Sequence, residues 1–504
     1  MLARVSSCAL IGLDVIPVDI EVDVSPGQSN FIIVGLADAA IQEAKERLRA
    51  AMKNANLRFP WDKRVVINLA PADLKKEGTH FDLAMLIGLL HATQDISFSD
   101  KQFCIGEVAL DGRIRPVNGM LPITWYAKHA GFTDVFVPQE NANQAAVIEG
   151  LSVYGVPSLQ SLVLHLQGAQ PLTISKKQAI VSSYEEQEHL DFKHIKGQEQ
   201  AKRALVIAAA GGHNMLMSGS PGSGKTLLAK AMSSILPPLT VEECLEVSAI
   251  YSIAGLLPEN KAYMSHRPFR APHHSASAVA LVGGGRIPKP GEITLAHRGV
   301  LFLDEFPEFP RAVLETLRQP IEDGVVSISR SQGHCQFPAR FTLVAAQNPC
   351  PCGYLHDQDI SCVCTPGTIE KYRRKVSGPI LDRIDLQGHV PRVPIKDLDS
   401  KEEAKGSFDV REEVIRVRNK QADRYQQSGW SLNSELPSSF VADFCPLEQT
   451  AKQLLHQAVE RLHVSARGYY RLIKVARTIA DLAGENTLSQ AHVAEALQYR
   501  FTES

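Results

Sequence analysis

The sequence predicts an α/β protein: a parallel-sheet core built around a glycine-rich loop, a separate α/β block before it and a helical region after it. Three observations predict this. Residues 219–226 read Gly-Ser-Pro-Gly-Ser-Gly-Lys-Thr, between a strand pattern, Asn214-Met215-Leu216-Met217, and a helix pattern, Leu227-Leu228-Ala229-Lys230-Ala231-Met232. From 193 to 395, short apolar runs alternate with helix-length amphipathic segments, as in strands joined by crossover helices. From 396 to 504 the pattern is helical.

The elements follow in order. A chain of 504 residues exceeds one hydrophobic core, so several domains are expected. Residues 1–168 form the first block. Val15–Val24, Phe31–Val34, Val65–Asn68 and Asp134–Val137 read as strands, Asp38–Ala51 as an amphipathic helix and His80–Leu90 as an apolar one. Residues 169–192 hold Ser175-Lys176-Lys177 and Glu185-Glu186-Gln187-Glu188 and read as a linker. Residues 193–395 are the core. Residues 396–504 give helices at Val410–Tyr425, Leu447–Leu462, Arg467–Leu482 and Ser489–Arg500. No internal repeat is visible.

Composition excludes some classes. Apolar residues make up 44% and charged residues 21%, and the net charge is −2. No global basic field marks a nucleic-acid partner, so any such contact is local. No apolar run approaches the ~20 residues that span a bilayer, and the N-terminus soon meets Asp14, Asp19 and Glu21. A cytoplasmic protein without a membrane partner is expected. Five of the nine cysteines are scattered singly and read as reduced thiols.

The loop at 219–226 has the form of a P-loop, and its strand-loop-helix context is what that motif requires. Gly219, Gly222 and Gly224 let backbone N–H groups converge on phosphate, while Ser220, Pro221 and Ser223 complete the turn. The helix N-terminus adds positive potential. Lys225 suits the β- and γ-phosphates of ATP, and Thr226 suits Mg²⁺. About eighty residues on, Gly299-Val-Leu-Phe-Leu-Asp304-Glu305 reads as a buried strand ending in two carboxylates. Asp304 suits the Mg²⁺ water shell and Glu305 the general base. Phe341-Thr-Leu-Val-Ala-Ala-Gln-Asn348 reads as another strand. Its terminal Asn348 suits positioning of the attacking water, with a turn cap as the alternative.

Cys350, Cys352, Cys362 and Cys364 put four thiols within fifteen residues. Four thiolates suit a structural Zn²⁺. The C-x-C spacing is tighter than the usual C-x₂-C, so unmetallated thiols and a disulfide remain open, with His356 a lone alternative ligand. Val325 to Arg340 alternates and turns at Ser331-Gln-Gly, which reads as a hairpin carrying Arg330, His334 and Arg340. The segment Tyr251–Pro290 is basic, with Lys261, His266, Arg267, Arg270, His273, His274, Arg286 and Lys289. Packing, substrate or subunit contact, and metal binding are open for it.

The order of these motifs resembles AAA+ ATPases. Arg267-Pro-Phe-Arg270-Ala-Pro-His273-His274-Ser275, Gly291-Glu-Ile-Thr-Leu-Ala-His297-Arg298-Gly299, Gly378-Pro-Ile-Leu-Asp-Arg383-Ile-Asp385 and Ser465-Ala-Arg467-Gly-Tyr-Tyr-Arg471 resemble the magnesium-chelatase-like AAA+ family. Val34-Gly-Leu-Ala-Asp-Ala-Ala-Ile-Gln-Glu-Ala-Lys-Glu-Arg-Leu-Arg49 fits too. The resemblance covers nearly the whole chain and points to the YifB/ComM branch. It implies an ATP-driven, hexameric DNA motor, a helicase or branch-migration translocase acting on single-stranded or branched DNA during natural transformation. A chelatase-type motor that remodels a protein is the alternative. The resemblance makes Arg383 the arginine finger of a ring and Arg467 the lid arginine, with Arg471 a rival for that role. It places the hairpin in a central pore, so that Arg330, His334 and Arg340 track phosphates.

Glu107 to Gly119 and Lys75 to Ala84 resemble a Lon protease domain. The expected nucleophile position holds Thr79 or His80, and the expected lysine position holds about Leu121. A chain without a Ser–Lys pair has no activated nucleophile. The block therefore reads as a non-proteolytic scaffold or DNA-binding collar, with Lys75, Lys76, Arg113 and Arg115 as candidate contacts. The C-terminal helices read as the helical lid.

Overall fold

The computed structural model describes residues 2–93, 95–181, 191–258, 261–285, 288–330, 333–355, 357, 359–394, 405–462 and 464–500, and the side chains of residues 329, 330, 333 and 334 are outside that description. The chain divides into two compact units. One holds the residues up to Val181 and the segment Val241–Met264. The other holds residues 191–240, 265–285 and 290–500.

The first unit is built on a seven-stranded mixed sheet. Its strands are β1 (Leu2–Ile11), β2 (Asp14–Pro26), β3 (Asn30–Val34), β4 (Lys63–Ala70), β5 (Gln102–Cys104), β6 (Asp134–Pro138) and β7 (Ser152–Val156), in the order β3-β4-β2-β1-β5-β6-β7. β1 and β2 form an antiparallel pair, with Ser7 opposite Val18, and β1 runs parallel to β5 on its other side. Strand β1 was not read from the sequence, because Arg4, Ser6 and Ser7 blur its alternation. The helix Asp82–Ala92 lies against β1 and β2, and all its residues except His91 are buried. Gly88 allows this approach: a Cβ there would stand 2.6 Å from Val22 Cγ2.

The expected helix over 38–51 is two pieces, Ala39–Gln42 and Ala44–Asn54. At the break, Arg47 Nη2 donates to the Ala40 carbonyl at 2.7 Å. Arg47 also pairs with the buried Asp82 at 2.8 and 2.9 Å.

The helix Val241–Ala254 packs in this first unit, although its sequence position is inside the block expected to be the core. It contacts the helix Met120–His129, and Gly119 N–H donates to the Ser252 carbonyl at 3.0 Å. Leu245, Leu257 and Tyr263 pack on Leu121, Val147 and Ile148.

The second unit contains a five-stranded, all-parallel sheet. Its strands are β8 (Met215–Ser218), β9 (Phe269–Arg270), β10 (Val300–Leu303), β13 (Thr342–Gln347) and β14 (Leu386–His389), in the order β9-β10-β13-β8-β14. The antiparallel hairpin β11 (Val325–Arg330) and β12 (Gly333–Pro338) precedes β13. β10 is fully buried, as are the first five residues of β13, which is why both read as continuous apolar runs. The helices Ser407–Arg424, Gln449–Arg461, Ala466–Ala483 and Gln490–Gln498 follow. They match the expected helices closely because their apolar faces recur at helical spacing. No helix among the described residues is long and apolar enough to cross a membrane.

Candidate functional site

The site lies at the C-terminal edge of the parallel sheet, where α/β folds bind ligands. β8 delivers the loop Gly219–Gly224, and the helix Lys225–Ile235 follows it. Gly222 and Gly224 have φ of 77° and 86°, which a side chain would strain. Gly219 has no room for one: a Cβ would stand 2.2 Å from the Val390 carbonyl oxygen. Lys225 Nζ donates to the carbonyls of Gly219 at 2.7 Å and Ser220 at 3.0 Å, and to Asn348 Oδ1 at 3.3 Å. Burial pulls the Lys225 pKa down against the opposing field of Asp304. The amine therefore sits in a partly desolvated socket that favours an anionic ligand.

Thr226 Oγ1 donates to Asp304 Oδ2 at 2.8 Å, and the Glu305 N–H donates to Asp304 Oδ1 at 2.9 Å. The structure thus joins Lys225 with Asn348 and Thr226 with Asp304, from three strands remote in sequence. Glu305 has φ +52°, a strained value for a residue with a side chain. A cavity of about 570 Å³ opens beside Asn348, lined among others by Ser218, Gln347, Tyr372 and His389.

Two contacts escaped the sequence reading. His274 Nδ1 lies 2.9 Å from Glu305 Oε2, and the His273 and His274 rings are 4.0 Å apart. The His-His pair was the visible signal, but its carboxylate partner is 31 positions away. Gln198, with φ +58°, donates to the Ser223 and Pro391 carbonyls and ties the P-loop to the chain after β14.

Other parts of the basic segment are structural. Arg267 donates to the carbonyls of Pro237 at 2.6 Å, Arg298 at 2.7 Å and Pro238 at 3.2 Å. Arg270 forms a two-pronged pair with Glu292, both contacts 2.7 Å. Arg286 lies outside the described residues.

Arg383 and Arg467 meet at a different place. Arg383 is buried, and its Nη2 is 2.8 Å from Glu322 Oε1, with Nη1 donating to the Pro379 carbonyl. The exposed Arg467 lies 3.7 Å from the same Glu322 oxygen. Arg471 Nη1 bonds Asp385 Oδ1 at 2.7 Å and the Arg383 carbonyl at 2.6 Å. Burial alone would raise the Asp385 pKa, but Arg471, His213 and the Asn214 N–H hold it well below the usual carboxylate range.

The four cysteines converge. Cys350 Sγ is 3.3 Å from Cys352 Sγ and 3.7 Å from Cys362 Sγ, and all four sulfurs lie within 4.8 Å of one another. All nine cysteines are free thiols in this structure. Tetrahedral Zn–S bonds of about 2.3 Å require S···S separations near 3.8 Å, which this cluster fits. Backbone N–H groups of Tyr354 and Val363 favour the ionised form of Cys352, while desolvation and the neighbouring thiols push Cys362 and Cys364 up. His356 lies outside the described residues.

The hairpin buries Val326, Ile328, Cys335 and Phe337 on one face. Ser329 faces His334 and Arg330 faces Gly333 in the register. The side chains of Arg330 and His334 lie outside those described. Arg340 is exposed but sits at the foot of the hairpin rather than on its strands, where its N–H donates to His297 Nδ1 at 3.0 Å.

In the first unit, Lys76 is fully buried with its amine on the Pro71 carbonyl, which removes it as a DNA contact. Lys75, Arg113 and Arg115 pair with Glu77, Asp111 and Glu107. The Thr79 hydroxyl donates to Glu107. Desolvation pulls the His80 pKa down to about 4, and Leu121 is buried.

A parallel sheet with a P-loop lysine, a Thr–Asp pair and an adjacent glutamate at one edge defines a P-loop nucleotide-binding protein of the AAA+ class. The family models agree. Magnesium chelatase, subunit ChlI, matches residues 191–398, subunit ChlI of Mg-chelatase matches 20–141, and the ChlI C-terminal model matches 404–500. Competence protein ComM of Haemophilus influenzae is 43% identical over 506 residues, covering 99% of this chain and 97% of that protein. The uncharacterized protein YifB of Salmonella typhimurium is 41% identical over 503 residues, with 99% and 97% covered. Lon protease 2 of Thermus thermophilus is 32% identical over 136 residues, 26% of this chain and 17% of that protein. The chain belongs to the ComM/YifB family of magnesium-chelatase-like AAA+ proteins. That family implies ATP and Mg²⁺, and the socket around Lys225 with the Thr226–Asp304 pair fits both.

Proposed function

We propose that this chain is the ATP-hydrolysing subunit of a hexameric cytoplasmic ring that moves DNA, promoting branch migration as single strands are integrated during natural transformation. The observation that carries the hydrolysis is the convergence of Lys225, Thr226, Asp304, Glu305 and Asn348 on one sheet edge. Lys225, released from its loop carbonyls, holds β- and γ-phosphate oxygens. Thr226 and Asp304 would hold the Mg²⁺ ion beside the phosphates. When bound, Mg²⁺ neutralises charge building on the phosphates. Glu305 takes a proton from the attacking water, Asn348 orients that water, and the β–γ bridging oxygen leaves with ADP. In the ring, Arg383 exchanges Glu322 for the neighbouring subunit's γ-phosphate, and Arg467 closes the lid.

The DNA reading rests on the relative named a competence protein and on the hairpin β11–β12. Arg330 and His334 near its turn contact phosphates, with Arg340 at its foot. The four cysteines would hold a structural Zn²⁺, a closed four-thiolate set of the kind that braces a fold rather than catalyses. The chelatase name of the matching models favours a second reading, a motor that remodels a protein partner. ATPase assays with single-stranded and forked DNA discriminate. The DNA motor predicts stimulated hydrolysis and strand exchange, both lost in Lys225→Ala. Hydrolysis indifferent to DNA, with no branch migration, sinks it.

A further inference from the structure

The segment Cys350–Cys364 has neither helix nor strand among its described residues, yet it forms one wall of the P-loop. Its chain turns after Cys350, whose carbonyl accepts the Gly353 N–H at 3.0 Å. Gly353 has φ +87°, and a Cβ there would lie 2.5 Å from Pro221 Cδ. No other side chain fits between the turn and the loop. Four residues on, the buried Asp357 carboxylate is 3.1 Å from Arg392 Nε. Ser220 beside it is the largest influence holding the Asp357 pKa below the usual range. Arg392 lies over the Tyr354 ring, 5.4 Å from its centre, so the same arginine touches the segment twice. Val390, two residues before Arg392, presses its carbonyl on Gly219. Gly219, Ser220 and Pro221 are thus each touched by the cysteine segment or by the strand end it is pinned to.

We propose that the four-cysteine knuckle is a metal-dependent clamp on the P-loop, so that Zn²⁺ occupancy sets nucleotide affinity. The proposal rests on the zinc reading above and adds to it. A segment without regular secondary structure is held by its cross-links, and four thiols make only weak mutual contacts. Four metal–thiolate bonds supply that order, as in small domains that fold only when loaded. With metal bound, Gly353 and Asp357 keep Pro221 and Ser220 in the conformation that receives phosphate. When the metal is removed, its four bonds to the segment are lost and the wall loosens. The loop then orders only at the expense of binding energy.

The full-length chain is purified without chelator and its metal content read by mass spectrometry. Binding of a non-hydrolysable ATP analogue is then measured by calorimetry on the native, the stripped and the zinc-restored protein. The expected result is one zinc per chain, at least about tenfold weaker nucleotide binding after stripping, and recovery on zinc addition. Gly353→Ala is the second arm: it keeps its zinc but weakens nucleotide binding to a similar degree, because its new methyl group displaces Pro221. A chain that binds no zinc overturns the metal site itself. Zinc bound with unchanged nucleotide affinity in the stripped protein, or in Gly353→Ala, overturns the clamp alone.

Discussion

The roles proposed for Lys225 and Glu305 divide binding from chemistry, and their surroundings are consistent with that division. Lys225 is enclosed and bonded to loop carbonyls, whereas the Glu305 carboxylate is 56% exposed and held only by His274 among the contacts described here. Lys225→Ala is expected to weaken ATP binding about 10- to 100-fold, the loss of a charged hydrogen-bond donor. Glu305→Gln should bind ATP normally and hydrolyse it about 10²- to 10⁴-fold more slowly. His274→Ala should lower kcat about tenfold and leave KM nearly unchanged, because it misplaces the base without touching the phosphate socket. Steady-state kinetics with nucleotide titration read all three; an equal loss of binding in Lys225→Ala and Glu305→Gln contradicts the division. Lys225 and Glu305 were legible because a P-loop and an acidic strand end are contiguous motifs. His274 was not, because its partner Glu305 lies 31 residues on, just past the end of β10.

At the scale of elements, the helix Ala466–Ala483 is fastened to the sheet through Asp385. That carboxylate accepts Arg471 and the Asn214 N–H at the start of β8, and His213 bonds Thr478 at 2.7 Å. Deeper in the same helix, Asp481 accepts Arg424, Arg477 and Asn433. Asp385→Asn strands the Arg471 charge and is expected to cost about 3–5 kcal/mol, read from the guanidinium unfolding midpoint at neutral pH. The sign with pH follows from the depressed pKa. The contribution of Asp385 is complete above the ordinary carboxylate value of ~3.9 and is lost as pH falls below it toward the folded value. The helices themselves were legible from their spacing to within a few residues. Their fastening was not, since Asp385 read only as the tail of the Arg383 motif.

At the scale of the whole molecule, the buried Arg383 bears on assembly. Its guanidinium is occupied by Glu322 within its own chain, so a role in a neighbour's site requires an exchange of partners on ring closure. Arg383→Ala subunits should bind ATP with unchanged affinity but hydrolyse it about 10³-fold more slowly or worse. Mixed with wild-type subunits, they should depress activity beyond their share if the proposed ring forms. Activity that falls only in proportion to the mutant fraction contradicts a finger acting between subunits.

The linear chain was enough to identify an α/β nucleotide-binding core, its P-loop, its acidic strand end, the amphipathic C-terminal helices and a four-thiol cluster. Each of those is encoded by residues close in sequence, where spacing alone brings the groups together. Folding was needed to decide which distant groups meet. It put His274 on Glu305, Asp385 beneath the helix Ala466–Ala483, Lys76 out of solvent and the helix Val241–Ala254 in the first unit. It also set the cysteine turn against Pro221, because strands β8, β13 and β14, far apart along the chain, run side by side in one parallel sheet and end at the same edge.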